Sequence, residues 1–340
     1  MEVDVLGIDL AKQVFQLHGA DRKGQVLHRA KVSRAGLMAA ITALKPKLVV
    51  MEACGSAHHW ARCLKAQGIE AKLISPQYVA PFVKSNKNDR NDAEAIVEAA
   101  SRPAMRFVAV KTVEQQDIQA LHRLRQLLVH QSTAVVNHIR GILGERGVAI
   151  AQSPAALHRA MPDVLASDSA ELTQFCRGLV VEMLEHLRSI EARIADADQK
   201  IKAFMRSSAL CKKISAIDGV GAVTATAIVA AVGDASEFKN GRHLAAWLGL
   251  VPRQHSSGGK SRLGGISKRG DKYLRTLLIH GARSVLRYAV GKVDAQSKWL
   301  CELVARRGYN RAAVALANKN ARVIQSLLSS DREYVRPGAA

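Results

Sequence analysis

The stretch VDVLGIDLAK, Val3–Lys12, decides how the chain is read. It is a short apolar run of the kind a buried strand makes, and it ends on a carboxylate, Asp9. QVFQLHGA (residues 13–20) and QVLHRAKV (25–32) follow, separated by the polar turn DRKG, and read as a meander of antiparallel strands. A helix around residues 34–44 leads to KLVVMEACG (47–55), a second buried strand that ends on an acid, Glu52. Another helix and then EAKLISP (70–76) as a further strand complete an α/β pattern.

Two more acids, Asp89 and Asp92, stand three apart in NDRNDAEAI at a helix start, a spacing that puts both on one helical face. Singly, each has a plain explanation: Asp89 caps its helix, and Asp92 pairs with Arg90 or faces solvent. Glu52 is different, because a charge directly after the apolar LVVM needs a partner. Four carboxylates brought together repel one another unless divalent cations lie between them. Two Mg²⁺ ions held in this way suit phosphodiester chemistry. A strand-end Asp, a strand-end Glu and a DxxD helix form the layout of RNase H-like nucleases. GIDLAK also suggests the phosphate loop of actin-like sugar kinases, but Leu10 and Ala11 stand where those loops need Gly and Thr. The charge of the chain does not suit a kinase either.

That charge is +21, from 50 Lys and Arg against 29 Asp and Glu, and it makes a polyanion the natural partner. Aromatic residues are only 4%, too few for stacked bases to dominate recognition. No apolar run of spanning length, secretory leader or lipidation motif is read, so nucleic acid is expected rather than a membrane. Five scattered cysteines without CxxC pairing argue against a disulfide framework or zinc site and fit a reducing, cytoplasmic setting.

From about residue 113 to 212 apolar residues fall at helical spacing, among them Ile118, Leu121, Leu124, Leu128, Val135, Ile139 and Ile142. Met183, Leu187, Ile190, Ile194, Ala197 and Ile201 follow a heptad-like rhythm, and GVAIAQSPAALHRAMP between the two runs reads as a reversal. Two long helices are expected, either a plain hairpin or a coiled coil through which copies of the chain pair.

A third unit, residues 213–310, opens with ISAIDGVGAVTATAIVAAVG, the pattern of a helix-hairpin-helix with its turn at Gly219 and Gly221. Such turns bring backbone N–H groups to a phosphate without reading bases. Between Lys239 and Arg287 lie eleven Lys and Arg and one acid, Asp271. Within that span, HSSGGKSRLGGISKRGDKYLR (255–275) sets Ser256 and Ser257 beside glycines and the cations Lys260, Arg262, Lys268, Arg269, Lys272 and Arg275. By itself this reads as a flexible, phosphate-binding loop. A serine hydroxyl is a poor nucleophile unless base, charge or metal assists it. Residues 311–340 read as a last helix and a tail.

GIDLAK, MEACGSAHHW, KNDRNDAEAI and GLVPRQHSSGGKSRLGGISKRGDKYLRTLL together resemble the DEDD transposases of bacterial insertion sequences, regarded as bridge-RNA-guided recombinases. The resemblance covers most of the chain. It implies a RuvC-like, RNase H-fold catalytic domain over residues 1–112, a coiled-coil region over 113–212 and a mostly helical transposase domain over 213–310. Asp9, Glu52, Asp89 and Asp92 become the DEDD set that binds Mg²⁺. A serine of the SSG element becomes the nucleophile that attacks DNA and forms a phosphoserine. That role falls on Ser257, next to Gly258, with Ser256 as the alternative; Ser261 and Ser267 look like phosphate-contact or cap residues. His255 is given no role, since a metal site can do a base's work. Donor and target double-stranded DNA, a noncoding bridge RNA and a dimer that forms a tetrameric synapse are the implied partners, in the bacterial nucleoid. A RuvC-like structure-specific endonuclease without a covalent step is the alternative reading, and a non-catalytic scaffold a second one.

Overall fold

The computed structural model describes residues 2–83 and 89–335, and the side chains of Asp89 and Arg90 lie outside that description. The chain divides into two compact units, Met1–Gln115 with Val232–Glu237, and Gln116–Ala231 with Phe238–Ala340.

The first unit is built on a six-stranded sheet in the order β3-β2-β1-β4-β5-β6. β1 (Val5–Leu10), β2 (Val14–Ala20) and β3 (Val26–Ser33) form the expected antiparallel meander. β4 (Leu48–Glu52) runs parallel to β1, and β5 (Ala71–Ile74) parallel to β4, with the short β6 (Phe107–Val108) antiparallel at the edge. Helices α1 (Leu37–Leu44) and α2 (Ala57–Ala66) supply the crossovers into β4 and β5. They cover one face, where Leu6, Ile8, Phe15, Met51, Ile41 and Leu64 make a dry core. After a short helix α3 (Pro76–Val79), α4 (Asp89–Ala100) covers the other face, packing Ala95, Ile96 and Ala99 on Val50 and Ile74. This mixed sheet with helices on both faces is consistent with an RNase H-like domain.

The second unit is helical. α5 (Val113–Gly144) is joined through α6 (Pro154–Ala166) to α7 (Gln174–Ser207). Val136, Ile139 and Leu143 of α5 meet Val180, Leu184 and Leu187 of α7 in a core that also takes in Leu157 and Met161 of α6. Further along, Arg125 of α5 is paired with Asp198 of α7 at 2.5 Å, so the two long helices run antiparallel. The expected reversal contains a helix of its own. Ser153 caps α6 by accepting from the Ala156 amide, and the helix continues through Pro162.

α8 (Ala209–Ser215) and α9 (Ala222–Val232) flank the Asp218–Gly221 turn. Gly219 has φ +86°, and a Cβ on it would lie 2.8 Å from the Gly281 carbonyl oxygen. The turn is therefore pressed onto α11 (Lys272–Arg287), and Asn320 of α13 (Tyr309–Leu328) donates to the Asp218 carbonyl. α10 (Gly241–Trp247) and α12 (Ala295–Arg307) complete the helical set. Within this mostly helical unit a β-hairpin, β7 (Pro252–Gln254) with β8 (Leu263–Ile266), is inserted between α10 and α11.

A buried polar chain ties α5, α9 and α11 together. The Thr226 hydroxyl donates to the Ala222 carbonyl, so it accepts from His122 Nε2, and His122 Nδ1 accepts from the Tyr273 hydroxyl. Burial, reinforced by the Arg125 cation and opposed by Asp198, lowers the His122 pKa to about 4. Its folded pKa lies below the unfolded value, so the stability it carries is complete above pH ~6.5 and is lost as pH falls toward 4. Between pH 7.5 and 5 the loss from this residue is about 2 kcal/mol. His122→Gln, which keeps a donor and an acceptor without a titrating ring, should show a correspondingly shallower fall in urea-unfolding free energy. An unchanged fall would contradict the buried neutral imidazole.

Candidate active site

Asp9 is the residue after Ile8, and Glu52 the residue after Met51; Ile8 and Met51 are register partners on adjacent parallel strands. The two acids therefore stand side by side at the carboxyl ends of β1 and β4. Strand alternation fixes the face they share. Leu6 and Ile8 enter the core under α1 and α2, which turns Gly7 and Asp9 to the opposite side. Val50 packs under α4, and Glu52, two residues on, points the same way.

The helix reaches that face because Gly7 has no side chain. A Cβ there would lie 2.6 Å from Val97 Cγ2 and 2.7 Å from the Ala93 carbonyl oxygen. Ala93 also shares a small cleft with Gln16, the register partner of Asp9. Asp92 directly precedes Ala93 on the helix that lies over this face, and Asp9, Glu52 and Asp92 are all half-buried. Asp89 opens the same helix, but its carboxylate lies outside the described residues. Among the described residues no three His, Cys, Asp or Glu side chains come close enough to hold a metal ion. The chemistry of the donors fits Mg²⁺ nonetheless, since every candidate ligand is a carboxylate.

The serine segment is the tip of the hairpin, not a slack loop. Gly258 (φ +55°) and Gly259 (φ +75°) are the two central residues of a tight turn, the positions where positive φ suits a two-residue hairpin connection. The Lys260 amide donates to the Ser257 carbonyl, and the His255 amide to the Arg262 carbonyl. The Ser256 hydroxyl accepts from Gln254 Nε2 at 2.9 Å, whereas the Ser257 hydroxyl has no hydrogen-bond partner among the described residues. Both serines are exposed, as are Lys260, Arg262, Lys268, Arg269 and Lys272. None of these five cations forms an ion pair among the described residues. Ser261 is exposed, while the Ser267 hydroxyl is buried at the foot of the hairpin.

Arg275 and Gly219 sit differently from what the sequence suggested. Arg275 is buried, and its Nη1 donates to the Leu248 and Arg269 carbonyls at 3.1 and 3.0 Å. It holds the foot of the hairpin and is not available to a phosphate. Its spacing could have revealed this, because Arg275, Leu278, Ala282 and Leu286 lie on one buried stripe of α11. Gly219 uses its freedom to meet Gly281, while Gly221 has no heavy atom within 4 Å of where a Cβ would stand. Asp271, the lone acid of the basic segment, caps α11 by accepting from the Tyr273 and Leu274 amides. The sequence reading missed Gly7, whose only signal is a glycine inside an apolar strand.

A strand-end acid pair under a helix bearing DxxD, with a basic hairpin elsewhere in the chain, defines an enzyme that acts on DNA: a DEDD-type transposase. The chain belongs to the transposase family of the IS116, IS110 and IS902 insertion sequences. Residues 211–298 match the family described as "Transposase IS116/IS110/IS902 family", and residues 6–146 match the DEDD transposase family of IS110. The chain is 51% identical to the "Probable family 20 transposase" of Pseudomonas aeruginosa, over 99% of this chain and 100% of that one. It is 49% identical to the "Transposase for insertion sequence element IS1111A" of Coxiella burnetii, over 98% of this chain and 92% of its relative. A Yersinia enterocolitica "Transposase for insertion sequence element IS1328" is 38% identical, over 94% and 95% of the two chains. No helix among the described residues is long and apolar enough to cross a membrane.

The positions of the cations separate two kinds of loss. Arg275→Ala should lower the stability of the second unit by about 2–3 kcal/mol, since two buried carbonyls lose a charged donor. Lys260→Ala should leave the melting curve unchanged and weaken DNA binding several-fold at low salt. Equal melting temperatures for the wild type and Arg275→Ala would contradict the scaffold role.

Proposed function

We propose that this transposase cuts and rejoins donor and target DNA through a covalent phosphoserine made by Ser257. The observation that carries the proposal is the hairpin tip: an exposed, unpartnered hydroxyl on a tight Gly-Gly turn, next to unpaired cations and above a foot held by Arg275. Ser257 Oγ forms a bond to the scissile phosphorus as one P–O bond to the flanking deoxyribose breaks. The serine gives up its proton, and the departing sugar oxygen takes one. Lys260 and Arg262 neutralise the phosphate as the nucleophile approaches, and Lys268, Arg269 and Lys272 hold the neighbouring backbone. Ser256, bonded to Gln254, is the less ready neighbour.

Asp9, Glu52 and Asp92, with Asp89, would hold Mg²⁺ in the first unit. When bound there, the metal supplies charge neutralisation at a scissile phosphodiester. The family resemblance and the net charge of +21 support two further readings. The protein takes an element-encoded bridge RNA that pairs with both DNAs, and it works as a dimer that forms a tetramer in the synapse. In this account residues 1–112 act as the RuvC-like domain, 113–212 as a coiled coil through which copies pair, and 213–310 as the serine-bearing domain. The turn at Gly221 is a helix-hairpin-helix contact to a phosphate.

A labelled donor–target pair incubated with protein, RNA and Mg²⁺, then denatured, should leave DNA attached to protein. Ser257→Ala should abolish the adduct, and Ser256→Ala should retain it. Asp9→Asn with Asp92→Asn should reduce strand exchange by at least about a hundredfold while sparing DNA binding. Robust cleavage by Ser257→Ala with no adduct would favour hydrolysis of the resolvase type. Full activity of the double carboxylate variant would leave the acids without a catalytic part.

A further inference from the structure

A second basic surface, built from residues outside the hairpin, is a groove of about 740 Å³ bounded by α10, α12 and α13. Its wall on α13 is one helical stripe, Ala315, Asn318, Lys319, Arg322, Val323 and Ser326. Asn240, Gly241 and Arg242 face it from the start of α10, and Trp299 from α12. No acid lines it.

The packing forces like charges together. A Cβ on Gly241 would lie 2.7 Å from the Arg322 Cα, so the backbone carrying Arg242 rests directly on the backbone carrying Arg322. The Lys319 ammonium sits 5.0 Å from the centre of the Trp299 ring, which fixes a third cation on the same groove wall. None of the three cations forms an ion pair among the described residues. Crowding unpaired cations at a recess costs free energy that an anion in the recess would recover. Asn318 donates to the Leu250 carbonyl, which ties this wall of α13 to the chain just before the hairpin.

We infer that this groove binds a single nucleic-acid strand, with its phosphodiesters on Arg242, Lys319 and Arg322. Its volume is that of a small-ligand pocket, room for a short length of one strand. Trp299 is a positioning residue that aims Lys319. Most of the groove, residues 299–326, lies beyond the matched stretch 211–298. The inference draws on the reading above only for the class of ligand, a nucleic acid, and is independent of the serine chemistry.

The test uses the full-length protein and fluorescence anisotropy with three probes of one sequence: single-stranded RNA, single-stranded DNA and duplex DNA. Arg242→Ala combined with Arg322→Ala should weaken single-strand binding about tenfold and reduce the salt slope by about 1.4, while duplex affinity stays within twofold. The matching Lys double variant should keep most of the single-strand affinity, and Trp299→Leu should lower it in proportion to the loss from Lys319→Ala. Whichever single strand binds more tightly identifies the source, an RNA or a displaced DNA strand. Unchanged single-strand binding in the Ala variant, or an equal fall on duplex and single strand, overturns the inference. The covalent-adduct assay reads Ser257 separately, so either proposal can fail alone.

Discussion

The contact on which the first unit's chemistry depends is the backbone of α4 lying on β1 at Gly7. With any larger residue there, the helix would have to lift off the sheet. Parallel pairing sets the strand-end acids Asp9 and Glu52 side by side, and the close approach of the Ala93 carbonyl to Gly7 lays the helix that carries Asp92 on the same sheet face. The seat of this helix on the strands is thus set by main-chain geometry. The second unit uses the same device where Gly219 meets Gly281, and there it secures the α8–α9 turn to α11.

The two units handle charge in opposite ways. In the first, the acids Asp9 and Glu52 stand side by side at strand ends of a protein whose net charge is +21. In the second, Lys and Arg crowd a hairpin and a groove with one capping acid nearby, leaving a demand for phosphate. An enzyme that acts on a phosphodiester needs both, since the phosphate must be drawn in and its charge then countered at the reacting bond.

Asp9 and Glu52 stood out in the sequence because each closes an apolar run, and an ionised group at the edge of a core leaves a sharp signal; Asp89 and Asp92 lie in a polar stretch and were marked only by their spacing. The antiparallel meander of β1–β3 and the strands β4 and β5 were legible for a related reason, since apolar runs and a polar turn mark them; the order of the sheet was not read from the sequence. The hairpin was not legible. Pro252–Gln254 are all exposed, as are Leu263–Gly265, so no core-facing alternation marks them as strands. Only SSGGK carries a turn signal, and it reads equally well as a flexible loop. Arg275 was misplaced because composition counts a guanidinium as surface charge, whereas the Leu278, Ala282 and Leu286 stripe turns this one inward.

The central claim is that the hydroxyl at the hairpin tip, not a neighbouring group, takes the phosphate. Trypsin cuts after Arg253 and Lys260, so the residues QHSSGGK leave the protein as one peptide. Nuclease and trypsin digestion of a denatured reaction, followed by fragmentation mass spectrometry of that peptide, locates any attached nucleotide to a single residue. The account predicts a nucleotide phosphate on Ser257. A nucleotide on Ser256, or a peptide that remains unmodified while the DNA is cut, would contradict it.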